Sequence, residues 1–367
     1  MSGAVGPRLT IRALRVRAVE VPMRRPLGTS AARMTHAPFV LVELDTHEGV
    51  TGRAHVFCYL SAAAPMIARG IELAGEVVTG AAVDPAAIAR RLETRFRLLG
   101  AHGVVAMALS AVDVACWDAL ATAAGVPLAG LLGGTRNAMP AYNSNGLSLM
   151  RPADVGAEAA ALLECGLPAL KIRLGRADAA EDLAAVRAVR DAVPAGTALM
   201  ADFNQALAVG EAIERGTALD ELGLVWVEEP VAADDLLGSA RVAAALATPV
   251  QLGENLYGPR AVTTAIAHRA ADCLMLDLMR IGGVTGWLEA ARLAATAGIP
   301  VSSHLYPEVS VHLLAASATA HWLEYVDWAE PFLAAGVELA DGQAIVSSGP
   351  GCGVHWDEAA VERYAMR

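Results

Sequence analysis

Asp202, Glu228, Glu254, Asp277 and His304 each close a short apolar run, and the runs recur roughly every 25 residues, with Glu324 closing one more. A single acidic residue at a strand end is a common solubilising stop. Six ionisable ends in succession are not explained that way. If the runs are parallel strands of a barrel, all six lie on the face where barrel enzymes do their chemistry. Asp202, Glu228 and Glu254 come from three neighbouring strands and converge without any helical spacing. An oxygen-only set without Cys or His selects a hard cation, and magnesium, which keeps positions open for water or substrate oxygens, fits best. Glu229 follows directly and is expected on the opposite side of its strand, in a salt bridge or helix contact below the ring.

Lys171 and Arg173 stand two apart and share a face. Cations facing the interior of a closed barrel must find anionic partners, which points to carboxylate binding. His304, opposite Asp277, reads as an imidazole whose tautomer is fixed and whose pKa is raised by a carboxylate, the arrangement of a general base. Asn143, Ser144 and Asn145 close the first barrel strand. They either orient a substrate hydroxyl or carboxylate, or simply form a turn.

The elements that must hold these residues are eight strands: Ala138 to Asn143, Ala169 to Arg173, Ala198 to Asp202, Leu224 to Glu228, Val250 to Glu254, Cys273 to Asp277, Val301 to His304 and Trp322 to Glu324. Amphipathic helices such as Ala179 to Val193, Gly210 to Leu222, Gly258 to Ala270 and Thr285 to Ala297 alternate with them, the α/β signature of a (β/α)8 TIM barrel. Before the barrel, strands at Leu9 to Val21, Phe39 to Leu44 and Val50 to Tyr59 read as a β-meander. Arg24 to His36 lacks strict alternation and reads as a long loop, of a length often used for lids. Asp84-Pro85 is a helix start, and a second helix runs from about Val104 to Ala124. The Gly133-Gly134 pair suggests a boundary. The chain is thus expected to divide into an α+β capping domain at 1–137, a barrel at 138–339 and a segment at 340–367 returning to the cap.

A chain of 367 residues with 55% apolar and 18% charged residues is a dense globular protein. A net charge of −11 argues against nucleic-acid and anionic-membrane partners, without excluding an anionic substrate beside a bound cation. Five scattered cysteines without CxxC spacing read as reduced, buried thiols. The start MSGAVGPR lacks the features of a signal peptide, and no charge-free apolar run reaches membrane-spanning length, so the cytoplasm is the expected location.

The stretches carrying these residues closely resemble the mandelate racemase subgroup of the enolase superfamily: Met200-Ala-Asp-Phe-Asn-Gln205, Trp226-Val-Glu-Glu-Pro230, Leu252-Gly-Glu-Asn255, Asp277-Leu-Met-Arg-Ile-Gly-Gly-Val-Thr-Gly-Trp287, Ser302-Ser-His-Leu305 and Ala320-His-Trp-Leu-Glu324. Their joint occurrence in order is highly specific. The resemblance implies an α+β cap over an imperfectly symmetric barrel and Mg2+ on Asp202, Glu228 and Glu254. It places Asn204 near a substrate α-hydroxyl and makes His304 with Asp277 one catalytic base. Lys171 would contact the substrate carboxylate, and a protonated Glu324 with raised pKa would donate to it as the enediolate forms. Leu27, Thr29, Ala31, Met34, Tyr59, Leu305 and Val326 match positions lining an apolar pocket. A small-molecule carboxylate partner and a homo-oligomer are implied by the same resemblance.

One departure bears on the reaction. Where the family's Lys-x-Lys motif carries a second base, this chain has Arg173. For arginine in general, a neutral guanidine near pH 7 costs on the order of 7 kcal/mol. If Arg173 still serves as a tuned second base, the expected activity is a racemase of an apolar or aromatic 2-hydroxy acid, which the pocket positions favour. If it acts only through its charge, His304 is the sole base and the expected activity is acid-sugar dehydration, a hydro-lyase reaction. A non-catalytic binding protein would have little reason to keep so many costly charges.

Overall fold

The computed structural model describes residues 8–366, so nearly all of the stretch read for a signal peptide lies outside it. β1 (Ile11–Gly28), β2 (Arg33–Thr46) and β3 (Thr51–Phe57) form an antiparallel meander in that order. Against it pack α1 (Ala64–Val78), for which the sequence reading has no helix, and α3 (Gly103–Ala124), while α2 (Pro85–Phe96) packs on these two helices. Asp84 caps α2 by accepting from the Ala87 amide, with Pro85 at the first helical position. α3 is apolar enough to cross a membrane by composition, yet it is mostly buried inside the fold. Its two acids join parts of the chain: Asp113 accepts from the Thr285 amide and hydroxyl, and Asp118 from the amides of Arg53 and Cys352.

The loop expected at Arg24 to His36 is instead the end of a hairpin. Pro22 and Pro26 mask the alternation and interrupt pairing, but after a register shift Leu27 pairs with Met34 and Gly28 with Arg33. The tip is closed by Thr29, whose amide donates to Ala32 O at 2.8 Å and whose hydroxyl accepts from the amides of Ala31 and Ala32.

After the short α4 (Leu128–Leu131), eight parallel strands follow: β4 (Ala138–Asn143), β5 (Ala169–Arg173), β6 (Ala198–Asp202), β7 (Val227–Glu228), β8 (Val250–Leu252), β9 (Cys273–Asp277), β10 (Val301–His304) and β11 (Leu323–Tyr325). β11 pairs with β4 on one side. On the other it is joined to β10 by Ser303 N to Trp322 O at 3.0 Å and His321 N to Val301 O at 2.8 Å, so the barrel closes. Seven intervals carry α5 (Pro152–Leu163), α6 (Ala179–Ala192), α7 (Val209–Leu219), α8 (Leu236–Ala245), α9 (Gly258–His268), α10 (Gly283–Ala297) and α11 (Pro307–Ala315). The eighth unit has only a 3-10 turn at Glu330–Phe332, where a regular barrel would have a helix.

Beyond it, β12 (Leu339–Ala340) and β13 (Gln343–Ile345) form a hairpin, and β13 pairs with β4. Part of the tail therefore belongs to the barrel sheet before the chain turns to the cap. There Met366 N donates to Ala18 O, Glu20 N donates to Tyr364 O, and Glu358, at the start of α12 (Glu358–Arg363), pairs with Arg17. All five cysteines are free; four are buried, but Cys165 is exposed, because Glu164 and Gly166 carry the chain out of α5 to the surface.

Candidate active site at the barrel mouth

Parallel register aligns the ionisable strand ends. Arg173 pairs with Asp202, Asp202 with Glu228, and Asp277 with His304. Glu254 lies two residues beyond β8. Gly253 brings it there at φ +136°, so close to β9 that a Cβ would meet Met275 O at 2.3 Å. Glu324 lies inside its strand, with Tyr325 still paired to Asn143.

Asp202, Glu228 and Glu254 each offer an oxygen within 4.8 Å of the others. Like charges this close in a buried place repel. Burial, opposed by Lys171 and reinforced by Asp202 and Glu254, pushes the Glu228 carboxyl up to about 8. The second Glu228 oxygen accepts from Trp226 Nε1 at 3.1 Å and Gln251 Nε2 at 3.4 Å. Three convergent carboxylates, two of them sharing one ammonium, fit a hard divalent cation, in donor type and in charge.

Lys171 Nζ sits 2.7 Å from Glu228, 2.8 Å from Glu324 and 3.4 Å from Asp202. Burial opposes its charge, but these carboxylates outweigh burial and hold it as an ammonium. His304 Nδ1 is 2.7 Å from Asp277 Oδ2, and the other Asp277 oxygen accepts from the amides of Met279 and Arg280. The carboxylate thereby fixes the proton on Nδ1 and turns Nε2 inward, 3.2 Å from Glu254 and 4.0 Å from Glu324. Burial disfavours the imidazolium, yet Glu254, Asp277 and Glu324 together raise it to about 9.

Glu324 departs from expectation. Burial alone would raise its carboxyl, but Lys171 and His304, with hydrogen bonds from Lys171 and Ser144, lower it below its ordinary value. Ser144 Oγ donates to one of its oxygens at 2.7 Å and the Leu305 amide to the other at 2.9 Å, so both oxygens accept. Glu229 also departs. It lies at the rim, not below the ring, and among the described residues it has no salt bridge. Asn255 Nδ2 donates to both its oxygens at 2.8 and 3.0 Å, and burial pushes its carboxyl well up.

Arg173 Nη1 donates to Ser144 O at 2.8 Å, Gly146 O at 3.3 Å and Lys171 O at 3.4 Å, and Nη2 donates to Ser144 Oγ at 2.9 Å. Ser144 is thus no mere turn former. Asn204 donates through its amide and Nδ2 to both oxygens of Asp202, leaving its own Oδ1 buried and unpartnered. Leu305 is buried and lines a small apolar cavity with Val326, Phe57 and Trp328.

Leu27 is buried and Met34 packs on the core, both on the hairpin. Thr29 meets the site only along a groove shared with Asn204, its hydroxyl being used within the tip. Tyr59 enters from the cap at φ +61°, its ring 4.7 Å from the Arg280 guanidinium.

Arg280, which in turn donates to Glu254 O and Asn255 Oδ1, stands with Trp226 and Asn255 in the resembling stretches without a role assigned there, and Gln251 and Ser30 lie outside those stretches. Trp226 could have been found, since it shares a strand face with Glu228 two residues on. Gln251 could not, because its partner lies on another strand.

The chain matches two family models: the mandelate racemase / muconate lactonizing enzyme N-terminal domain over residues 11–133, and the enolase C-terminal domain-like family over 154–360. It is 32% identical over 328 residues to the L-talarate/galactarate dehydratase of Salmonella typhimurium, covering 89% of this chain and 82% of that one. Among solved structures it is similar to an enolase from alpha proteobacterium BAL199 with bound magnesium (43% identity, TM-score 0.95, 98% and 100% coverage). It is likewise similar to a Bradyrhizobium enolase complexed with magnesium and mandelic acid (39% identity, TM-score 0.94, 98% and 99% coverage).

Proposed function

The chain belongs to the mandelate racemase/muconate lactonizing enzyme family of the enolase superfamily, and from that premise we propose that it is a magnesium-dependent hydro-lyase using His304 as its single base. The substrate is a 2-hydroxycarboxylate with a β-hydroxyl. Asp202, Glu228 and Glu254 hold the ion, whose contribution is positive charge at the substrate carboxylate, where negative charge grows as the α-proton leaves.

The observation that carries this reading is the hold on Arg173. Its terminal nitrogens donate to Ser144 and Gly146. A base needs a free lone pair aimed at the substrate, and a guanidinium fixed as a donor has none. Arg173 then acts by its charge, and one side of the substrate carries the only base.

His304 takes the α-proton on Nε2 while Asp277 holds Nδ1. The electron pair of the broken C–H bond moves onto the carboxylate, where Lys171 stabilises it. Expulsion of the β-hydroxyl follows, with His304 returning its proton to form water, and the resulting enol becomes a 2-keto acid. Glu324 anchors Lys171 and sets the charge around His304. The unpartnered Asn204 Oδ1 suits a substrate hydroxyl as donor. The talarate/galactarate dehydratase relative supports the same reading.

A second reading, racemisation of an aromatic 2-hydroxy acid, is favoured by the apolar side chains of Leu27, Leu305 and Val326 and by the mandelic acid in the Bradyrhizobium structure. Incubating acid sugars and aryl 2-hydroxy acids with enzyme and magnesium in D2O separates the two. A 2-keto product with exchange confined to one configuration supports the hydro-lyase; loss of optical activity with exchange in both enantiomers overturns it.

A further inference from the structure

The hairpin tip touches the barrel rim through a side chain that the proposed chemistry leaves unused. Ser30 Oγ lies 3.1 Å from Phe203 O and 3.0 Å from Asn204 O, a hydroxyl shared between two carbonyls. Both carbonyls belong to the turn after β6. Asn204 and Gln205 stand there at φ +45° and +66°, a left-handed region that asparagine tolerates but glutamine rarely adopts. The barrel supports the turn: Phe203 N donates to Glu228 O and Gln205 N to Glu229 O. Ser30 adds a support from the cap.

The tip has room to seat because the facing residue is Gly175. At φ +104°, a Cβ there would meet Ala206 Cβ at 2.9 Å and approach Ser30 Cβ at 3.5 Å. The groove beside it, about 740 Å³, is lined by Thr29, Ser30, Arg176, Asn204 and Gln205. Three of the hairpin's other ties lie elsewhere: Gly28 N to Ser148 Oγ at 2.7 Å, Leu149 N to Gly28 O at 2.9 Å, and Arg24 to Asp327 and Glu330. None of these three ties touches the Asn204 turn.

The turn Ser30 supports is also the one that orients Asp202. Asn204 N meets Asp202 Oδ1 at 2.8 Å and Nδ2 meets Oδ2 at 3.0 Å, so Asn204 holds both carboxylate oxygens, with Lys171 3.4 Å from Oδ2 as a further partner. We infer that Ser30 is a positioning residue that couples the seating of the hairpin tip to the geometry of Asp202, so that magnesium affinity and hairpin closure form one linked equilibrium. The inference rests on Asp202 being a metal ligand, as proposed above. Linkage is reciprocal: if a seated tip tightens the ion, the ion must tighten the tip.

The test uses the whole chain without substrate. Magnesium is titrated calorimetrically into wild type, Ser30→Ala and Ser30→Cys, the last of like size but a weak donor. Tryptic cleavage after the exposed Arg33 is followed by mass with and without magnesium. Both variants are expected to melt like wild type without metal and to bind magnesium roughly three- to tenfold more weakly, the worth of one hydrogen bond. Magnesium is expected to slow cleavage at Arg33 in wild type and to lose most of that effect in the variants. Wild-type affinity in both variants, or equal protection of Arg33 in all three proteins, overturns the inference alone. No magnesium binding by wild type overturns it together with the metal assignment.

Discussion

Arg173 gives both terminal nitrogens to Ser144, Nη1 to the carbonyl at 2.8 Å and Nη2 to the hydroxyl at 2.9 Å. The hydroxyl passes its own hydrogen to Glu324 at 2.7 Å, and Glu324 receives Lys171 at 2.8 Å. Two cations of one strand are therefore joined through a serine and a carboxylate. One ends on carbonyl and hydroxyl oxygens, the other among carboxylates.

Arg173→Lys keeps the charge and loses the planar fork. Turnover is expected to fall on the order of a hundredfold, because Ser144 and Glu324 lose their fixed positions. The informative readout is α-proton exchange in D2O from each enantiomer. Wild type exchanges one, and a lysine with an aimed lone pair adds slow exchange in the other. Exchange of both by wild type would sink the single-base mechanism.

His304→Asn removes the base while leaving the carboxylate cluster in place. Exchange and turnover are expected to drop about 10²- to 10⁴-fold with magnesium affinity little changed. Asp277→Asn should cost about as much, because the Met279 and Arg280 amides keep its oxygen and leave its NH2 facing Nδ1, which moves the ring proton onto Nε2. Undiminished exchange in the His304 variant would assign the base elsewhere.

Glu324→Gln tests whether this carboxyl is ionised. Its negative charge, 4.0 Å from His304 Nε2, helps raise the imidazole. A general base works in its neutral form, so kcat/KM rises with pH through the His304 pKa. Removing the charge moves that acidic limb to lower pH. A limb that stays in place would favour a protonated Glu324 and the donor role that resemblance implied.

Magnesium should stabilise the fold, since it relieves repulsion among three convergent carboxylates. At a hundred times its dissociation constant, a ligand that binds only the folded state adds about 2.7 kcal/mol, read as a rise in Tm. Glu228→Gln should lose most of that rise. An equal rise in the variant would place the ion elsewhere.

His55 on β3 is buried 3.7 Å from Glu308 at the start of α11, and burial lowers its pKa to about 4. Its unfolded value is near 6.5, so its contribution is fully present above pH 6.5 and is lost as pH falls toward 4. Relative to His55→Gln, wild type should lose on the order of 3 kcal/mol across that window. Urea unfolding of both proteins at pH 7.5 and 4.5 measures it, and a pH-independent difference would show that His55 titrates normally.

The residues Asp202, Glu228, Glu254, Asp277, His304 and Glu324 are legible in the sequence, because a strand's side-chain period and its apolar run fix where its polar end falls, and parallel strands put those ends on one face. The same local rules marked the Asp84 cap and the start of α3. They failed at the hairpin, where two prolines hid a pairing that only the register of β1 with β2 restores. What the sequence could not decide is who meets whom across the ring. That Arg173 is spent on Ser144, that Glu324 accepts from Ser144, and that Ser30 reaches a turn 174 residues away all depend on partners from other elements. A residue's type fixes which proton or charge it is able to carry. Its ionisation and orientation depend on burial and on neighbours within a few ångströms, and the tertiary structure supplies those.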